Sequence, residues 1–504
     1  MKSRILICVL AALALLASAC GASSNDTTAA REPSHPAGGT ARQGQGEGDA
    51  SGNDAPEGSA TGRAAPTARA EPADEISTFA LDVDTASYGY ARSTLKAGRL
   101  PDPAQVRPEE FVNAFRQGYP EPPGDGFAVQ LDGARGPAEG TALLRVGLQT
   151  RTADAAARRP ANLTFVVDVS GSMGDPGRLD LVRDALHTLV DQLGPGDQVS
   201  IVSFSDQARL RLSMTPAGER RELHAAIDTL ATEGSTDVSA GLVAGYAEAA
   251  RAFRPVATNR VILLSDGLAN TGDTTWQGIL DRVEEAAGRR ITLLCVGVGR
   301  EYGDTLMEQL ADHGDGAAVY VASTEEAREV FVDRLPANLD LRARDAKAQV
   351  AFNPATVASY RLLGYENRAL AAQDFRDDAK DGGEVGPGHA VTALYSVRLR
   401  PGTSGQLAMA TVRWQDPDTR EPAETSRALE VAGLSDRLWE EAPPRLQVDA
   451  VVAVFAQRLR RAEEEMFTED LGALAGHAER LAAATEDPMV TELAELIRRA
   501  GSLD

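Results

Sequence analysis

The 504-residue sequence predicts an α/β fold: a doubly wound, mostly parallel sheet flanked by β-sandwich-like segments and followed by a helical C-terminal region. Three observations carry that expectation. Between about Ala161 and Pro336, short apolar runs alternate with amphipathic stretches, the pattern of a parallel sheet covered by helices on both faces. On either side of this segment, apolar and polar residues alternate with period two, as in half-buried strands. From Arg445 onward, apolar residues recur at helical spacing.

The chain starts MKSRILICVLAALALLASAC, a short basic opening, an apolar run from Ile5 to Leu16 and small residues ending at Cys20. Residues 1–19 are therefore expected to be an export signal rather than a domain. That run is too short to span a bilayer, and no later stretch reaches the roughly 18 apolar residues a span needs. The ending Ala17-Ser18-Ala19-Cys20 resembles a bacterial lipobox, with Ala17 where Leu is preferred. The resemblance implies a lipid on Cys20 and a cell-membrane anchor on the extracytoplasmic face; simple cleavage of the signal is the alternative. Residues 20–75 are Gly, Ala, Ser, Thr, Pro and acidic residues with almost no large apolar side chain, so they are expected to form a flexible tether.

The formal net charge of -23 argues against a nucleic-acid partner. Cysteine is confined to Cys8, Cys20 and Cys295. With Cys8 inside the signal, the body has one thiol, and its place in the apolar run Ile291 to Val298 suits a buried structural role.

Taken in order, residues 76–154 form a first flank, with a strand at Thr78 to Asp84, helices at Ala86 to Ala97 and Glu109 to Phe115, and strands at Phe127 to Leu131 and Thr141 to Leu148. The α/β segment, residues 155–340, places strands at Leu163 to Asp168, Val199 to Phe204, Val261 to Ser265, Ile291 to Val298 and Ala318 to Ala322. Helices such as Leu179 to Leu193 and Val238 to Phe253 fall between them. Residues 341–504 return to β character at Ala348 to Phe352, Val357 to Leu363, Ala390 to Arg400 and Leu407 to Trp414, with an acidic, glycine-rich loop from Phe375 to Gly388. The tail is helical: Leu446, Val448, Val451, Val452, Phe455 and Leu459 share one face, and Asp470 to Ala484 and Met489 to Ala500 follow. The β runs on both sides look alike, which suggests one sandwich interrupted by the α/β segment.

Candidate chemistry sits at strand ends. After Phe165-Val166-Val167 comes Asp168-Val169-Ser170-Gly171-Ser172; Gly234-Ser235-Thr236-Asp237 precedes a helix; Leu263-Leu264-Ser265-Asp266-Gly267 ends another buried strand. In a doubly wound sheet of order 3-2-1-4 these loops meet at the carboxyl edge, where such sheets bind ligands. Asp168, Ser170, Ser172, Thr236 and Asp266 could then surround one point with oxygen alone. Hard oxygen donors suit Mg²⁺ or Mn²⁺, and the lack of clustered His or Cys argues against zinc. Two carboxylates leave such an ion short of negative charge and able to accept a third. Read without the other loops, the first would be an ordinary capped helix start.

These residues resemble the metal-ion-dependent adhesion site of von Willebrand factor type A domains, Asp-x-Ser-x-Ser with a distant Thr and Asp, over about residues 155 to 340. The resemblance implies hydroxyl ligation by Ser170, Ser172 and Thr236, with Asp168 and Asp266 binding directly or through water. It further implies a protein partner that presents a Glu or Asp, and no catalysis. A wider similarity joins Ser77-Thr78-Phe79-Ala80-Leu81-Asp82-Val83-Asp84-Thr85-Ala86-Ser87-Tyr88 and Tyr360-Arg361-Leu362-Leu363-Gly364-Tyr365-Glu366-Asn367-Arg368 to bacterial lipoproteins that carry this domain.

Two other readings compete. Asp82-Val83-Asp84-Thr85 resembles the paired aspartates of haloacid-dehalogenase-type phosphohydrolases, but Ala86 stands where that family has Thr or Val. A structural envelope protein with a vestigial metal site is the other. Gly297-Val298-Gly299 reads as a tight strand-to-helix loop, Ser172 lacks a nucleophile-elbow context, and His187, His224, His313, His389 and His477 are scattered along the chain.

Overall fold

The computed structural model describes residues 75–152, 159–267, 276–299, 304–321, 323–328, 330–331, 341–378, 380, 382–462 and 466–503. The expected signal and Cys20 fall outside these residues, as does the expected tether up to its last position.

The first flank contains β1 (Ile76–Ala80), α1 (Ala86–Lys96), α2 (Pro108–Asn113), β2 (Phe127–Arg135) and β3 (Thr141–Thr150). Strand β1 stops four residues short of the expected Asp84, because the Asp82 carboxylate turns back to accept the Asp84 amide (2.8 Å) and ends the ladder. Strands β2 and β3 form an antiparallel hairpin, Phe127 opposite Thr150 and Arg135 opposite Ala142. All ten residues of β3 are buried, so its expected half-polar alternation is absent. Its two faces meet two layers: Ala142, Leu144, Val146 and Leu148 enter the sandwich core, whereas Leu143 joins a helical core. On that second face Gly147 lets the Tyr119 ring lie flat against the strand, where a Cβ would come within 2.3 Å of the ring.

The α/β segment runs β4 (Ala161–Asp168), α3 (Leu179–Gln192), β5 (Gln198–Phe204), β6 (Ala208–Pro216), α4 (Arg220–Asp228), α5 (Val238–Arg251), β7 (Thr258–Ser265), α6 (Trp276–Gly288), β8 (Ile291–Val298), α7 (Asp304–His313), β9 (Ala317–Val321) and α8 (Thr324–Arg328). Its sheet has the order β6-β5-β4-β7-β8-β9. Every pairing is parallel except β5 with β6. Apolar side chains of α3 and α4 fill one face, and those of α5, α6 and α7 fill the other. The doubly wound expectation therefore holds, with β6 added as an antiparallel edge. Its alternating charged residues, Arg209 and Arg211 around the half-exposed Leu210, gave no buried-strand signal.

The remainder comprises β10 (Ala343–Phe352), β11 (Val357–Leu362), β12 (Ala369–Leu370), β13 (Gly383–Val385), β14 (Ala390–Leu399), β15 (Gln406–Gln415), β16 (Pro422–Glu430), α9 (Leu438–Glu441), α10 (Pro444–Leu459), α11 (Leu471–Thr485) and α12 (Pro488–Leu503). One sheet has the order β12-β1-β10-β15-β16, with β13 also on β10, and the second β11-β14-β3-β2. Each sheet draws strands from both flanks, so a single sandwich is interrupted by the α/β segment, as its composition suggested. The acidic loop is not all loop, since β13 pairs with β10 inside it. Helix α10 is buried around its whole circumference rather than along one stripe, which marks a central helix. It packs with α2 as well as α11 and α12, Phe111 and Phe455 standing 6.5 Å apart edge to face. No helix among the described residues is long and apolar enough to cross a membrane.

Candidate functional site

Strand β4 delivers Asp168 at its carboxyl end, fully buried. Asp168 Oδ1 accepts the Ser170 amide (2.8 Å), which folds the loop back over the strand end and aims the next hydroxyls the same way. Ser170 Oγ lies 3.1 Å from Ser172 Oγ, and Ser172 Oγ donates to Asp266 Oδ1 (2.9 Å). Asp266 stands one residue beyond β7, the parallel neighbour of β4. Four of the five expected residues thus form one continuous hydrogen-bonded run across two adjacent strand ends, its first link made by the Ser170 amide.

Thr236, the fifth, arrives on the loop before α5. The Gly171 amide donates to Gly234 (3.0 Å), the Glu233 amide to Val169 (2.5 Å), and the Asp237 amide to Ser205 beyond β5 (2.7 Å). These bonds stitch the loop to the β4 and β5 ends and keep Thr236 buried at 6% exposure. Asp237 caps α5 through the Ala240 amide (2.9 Å), so it serves the helix while Thr236 is left beside the loop carrying Ser170.

Two residues at this edge were not among the candidates. Ser265 Oγ donates to Asp168 Oδ2 (2.6 Å); its position next to Asp266 was its only sequence signal. Arg178 Nη1 donates to Asp266 Oδ2 and to the Ser172 carbonyl (3.0 Å for the latter). A basic residue has no place in an oxygen-donor motif, so nothing in the spacing pointed to it. Burial pushes the Asp168 carboxyl above its ordinary range, opposed by the hydrogen bonds from Ser265 and Ser170.

Carboxylate and hydroxyl oxygens converge at this sheet edge, donors of the kind a hard divalent cation takes.

Asp82 and Asp84 lie elsewhere and are buried. The Asp84 carboxylate accepts the Ala318 amide of β9 (2.8 Å), and Arg368 Nη2 lies 3.5 Å from Asp82, 3.7 Å from Asp84 and 2.6 Å from Asp312 on α7. Burial first, then the neighbouring Asp82, holds the Asp84 carboxyl well above its usual range. The pair joins the two flanks to the α/β segment. Cys295 is buried, with its thiol pushed up by that burial. The histidines are less scattered than the sequence implied, because His187 on α3 and His224 on α4 meet with Nδ1 atoms 2.7 Å apart.

The family profile of the von Willebrand factor type A domain matches residues 162–333, the segment that builds this site. A profile described as von Willebrand factor matches residues 63–145, and one described as the C-terminal part of the uncharacterized protein YfbK matches residues 337–404. YfbK of Escherichia coli K12 is 33% identical over 417 residues, covering 77% of this chain and 72% of that protein. The chain belongs to the YfbK family. Other relatives of this YfbK-family protein share less of its length. Protein sll0103 of Synechocystis is 30% identical over 189 residues, covering 37% of this chain and 44% of its own. Human inter-alpha-trypsin inhibitor heavy chain H4 is 30% identical over 170 residues, covering 32% and 18%. Among solved structures, a von Willebrand factor type A protein from Catenulispora acidiphila aligns at 16% identity with a TM-score of 0.45, covering 75% of this chain and 91% of that one. The type A domain is a module often used in protein interactions.

Proposed function

We propose that this YfbK-family protein is a membrane-tethered, extracytoplasmic binding module that captures a carboxylate of a partner protein at a Mg²⁺ or Mn²⁺ ion. The observation that carries the reading is the hydrogen-bonded run from Asp168 through Ser170 and Ser172 to Asp266. Ser170, Ser172 and Thr236 would hold the ion by their hydroxyls, with Asp168 and Asp266 direct or bridged by water. When bound, the ion supplies an open position for a Glu or Asp side chain. The protein's part is orientation: Ser265 and the Ser170 amide fix Asp168, and Ser172 fixes Asp266. A lipid on Cys20 and the stretch 20–75 would serve as anchor and stalk. Use of Asp82 and Asp84 in phosphohydrolysis finds no support, because both carboxylates are at most 3% exposed and Asp84 is bonded to the neighbouring strand.

Calorimetric titration of Mg²⁺ and Mn²⁺ into the protein should give saturable binding near one ion per chain, absent in Asp168→Ala. Pull-down from envelope extract should succeed in Mg²⁺, stop with chelator and stop in Asp266→Ala. Capture that survives both chelator and Asp266→Ala would overturn the reading and favour a structural envelope protein with a vestigial site.

A further inference from the structure

Asp266 carries a cation supplied by the chain itself. Arg178 stands at the N-terminal boundary of α3 with its side chain 14% exposed. Nη1 donates to Asp266 Oδ2 and to the Ser172 carbonyl, and Nη2 lies 3.5 Å from Asp175. The stem is confined from the far side by Gly299, just beyond β8, which has φ +97° and where a Cβ would stand 3.1 Å from Arg178 Nε and 3.2 Å from Cγ. Only glycine takes that backbone conformation freely and leaves that space. The Arg178 stem therefore occupies room that a glycine at 299 leaves open, and Asp266 is gripped at both oxygens, one by Ser172 and one by Arg178.

Charge determines what this contact does. Asp168 and Asp266 bring two negative charges to the strand ends and Arg178 returns one positive charge. An incoming divalent ion meets half the net attraction and competes with a guanidinium for Asp266. Once an ion is in place the set is net positive, and an approaching carboxylate meets a second cation whose planar fork matches it.

We propose that Arg178 is a specificity-determining residue of this site: it loosens the hold on the divalent ion and tightens the hold on an anionic partner group. This rests on the metal-dependent reading above and adds to it which residue sets the balance between ion and ligand.

The test uses the full chain and two probes, Mn²⁺ alone, followed by the resonance of free Mn²⁺, and acetate added to the Mn²⁺-loaded protein, followed by water proton relaxation. Arg178→Gln should bind Mn²⁺ more tightly, on the order of tenfold, and require about tenfold more acetate. Arg178→Lys, which keeps the charge without the fork, should stay within a few-fold of wild type for Mn²⁺. Arg178→Met preserves the stem against Gly299 and takes the place of Arg178→Gln if that variant does not fold. Mn²⁺ binding that is lost in Asp168→Ala but equal in wild type and Arg178→Gln overturns this inference alone. Weaker Mn²⁺ binding in Arg178→Gln also overturns it, since Arg178 would then only position Asp266. No Mn²⁺ binding to wild type or to Arg178→Gln removes the metal site and the inference with it.

Discussion

Glu109 is 2% exposed, and its Oε2 is buried without a hydrogen-bond partner. Burial, reinforced by the negative charges of Asp82 and Glu366, pushes its pKa from 4.5 to about 7. The folded protein therefore holds a proton that the unfolded chain releases between these values. The resulting stability is fully present below about pH 4.5 and is lost as pH rises through 7, a difference of roughly 3 kcal/mol. Glu109→Gln should lack this component: urea midpoints of wild type and variant should diverge as pH rises from 4.5 to 7.5, with wild type falling faster. Parallel curves would show that Glu109 titrates alike in folded and unfolded chains. At this scale the placement of the candidate residues was legible, because Asp168, Ser170, Ser172, Thr236 and Asp266 each sit where a strand ends or a helix begins, and such positions are marked by composition. Arg178 was not legible. Its role depends on the space left by Gly299 and on the direction of one carboxylate oxygen, neither of which leaves a trace in spacing.

Among the elements, β3 bears the most polar interior. Arg145 makes a two-pronged contact with Asp132 (2.9 and 2.7 Å) and a third bond to Asp449 of α10 (2.8 Å), whose other oxygen accepts the Gln117 amide (2.9 Å). Arg145→Met would leave the Asp449 carboxylate, 1% exposed, without its cation. That should cost about 3–5 kcal/mol, whereas the double variant Arg145→Met with Asp449→Leu should recover much of it. Thermal unfolding of both measures the difference, and an unimpaired single variant would show that the contact adds nothing. The same strand shows where element-level reading fails. Alternation predicts one wet face, but β3 lies between two cores, and its second face is covered by a helix some 304 residues further along the chain. Strand β16 was missed for the converse reason: an edge whose side chains are mostly exposed reads as loop. Helix α10, buried on every side, looks striped in sequence because Gln447, Asp449 and Gln457 are polar residues enclosed by the fold, Asp449 accepting from Arg145 and Gln117 and Gln447 donating to the Ala442 carbonyl (2.7 Å).

For the whole molecule, the two flanks depend on each other. Among the described residues β1 pairs only with β10 and β12, and β3 lies between β2 and β14. A chain ending at residue 340 retains β1, β2 and β3 but lacks the strands that complete both sheets. Limited proteolysis of that truncated chain should cut within residues 76–150 while the α/β segment resists, and the full chain should resist in both. Equal protection of the first flank in the short chain would contradict the pairing. Recognising the sandwich from sequence required only that its two halves look alike; the order of strands within it did not follow, because nothing local specifies which of several similar runs will be neighbours.

The interruption of the sandwich also sets a timetable. Ribosomal synthesis releases β3 long before α10, its partner at Asp449, which is 304 residues later in the chain. Until β14 and then α10 emerge, ten residues that end up wholly enclosed have only β2 and the segment carrying Tyr119 beside them. The α/β segment can close on its own contacts as it emerges, while the hairpin ahead of it waits. Assembly of the molecule therefore finishes from the outside in, with a slow final step governed by distant contacts, and a sticky strand that must be kept from other chains meanwhile.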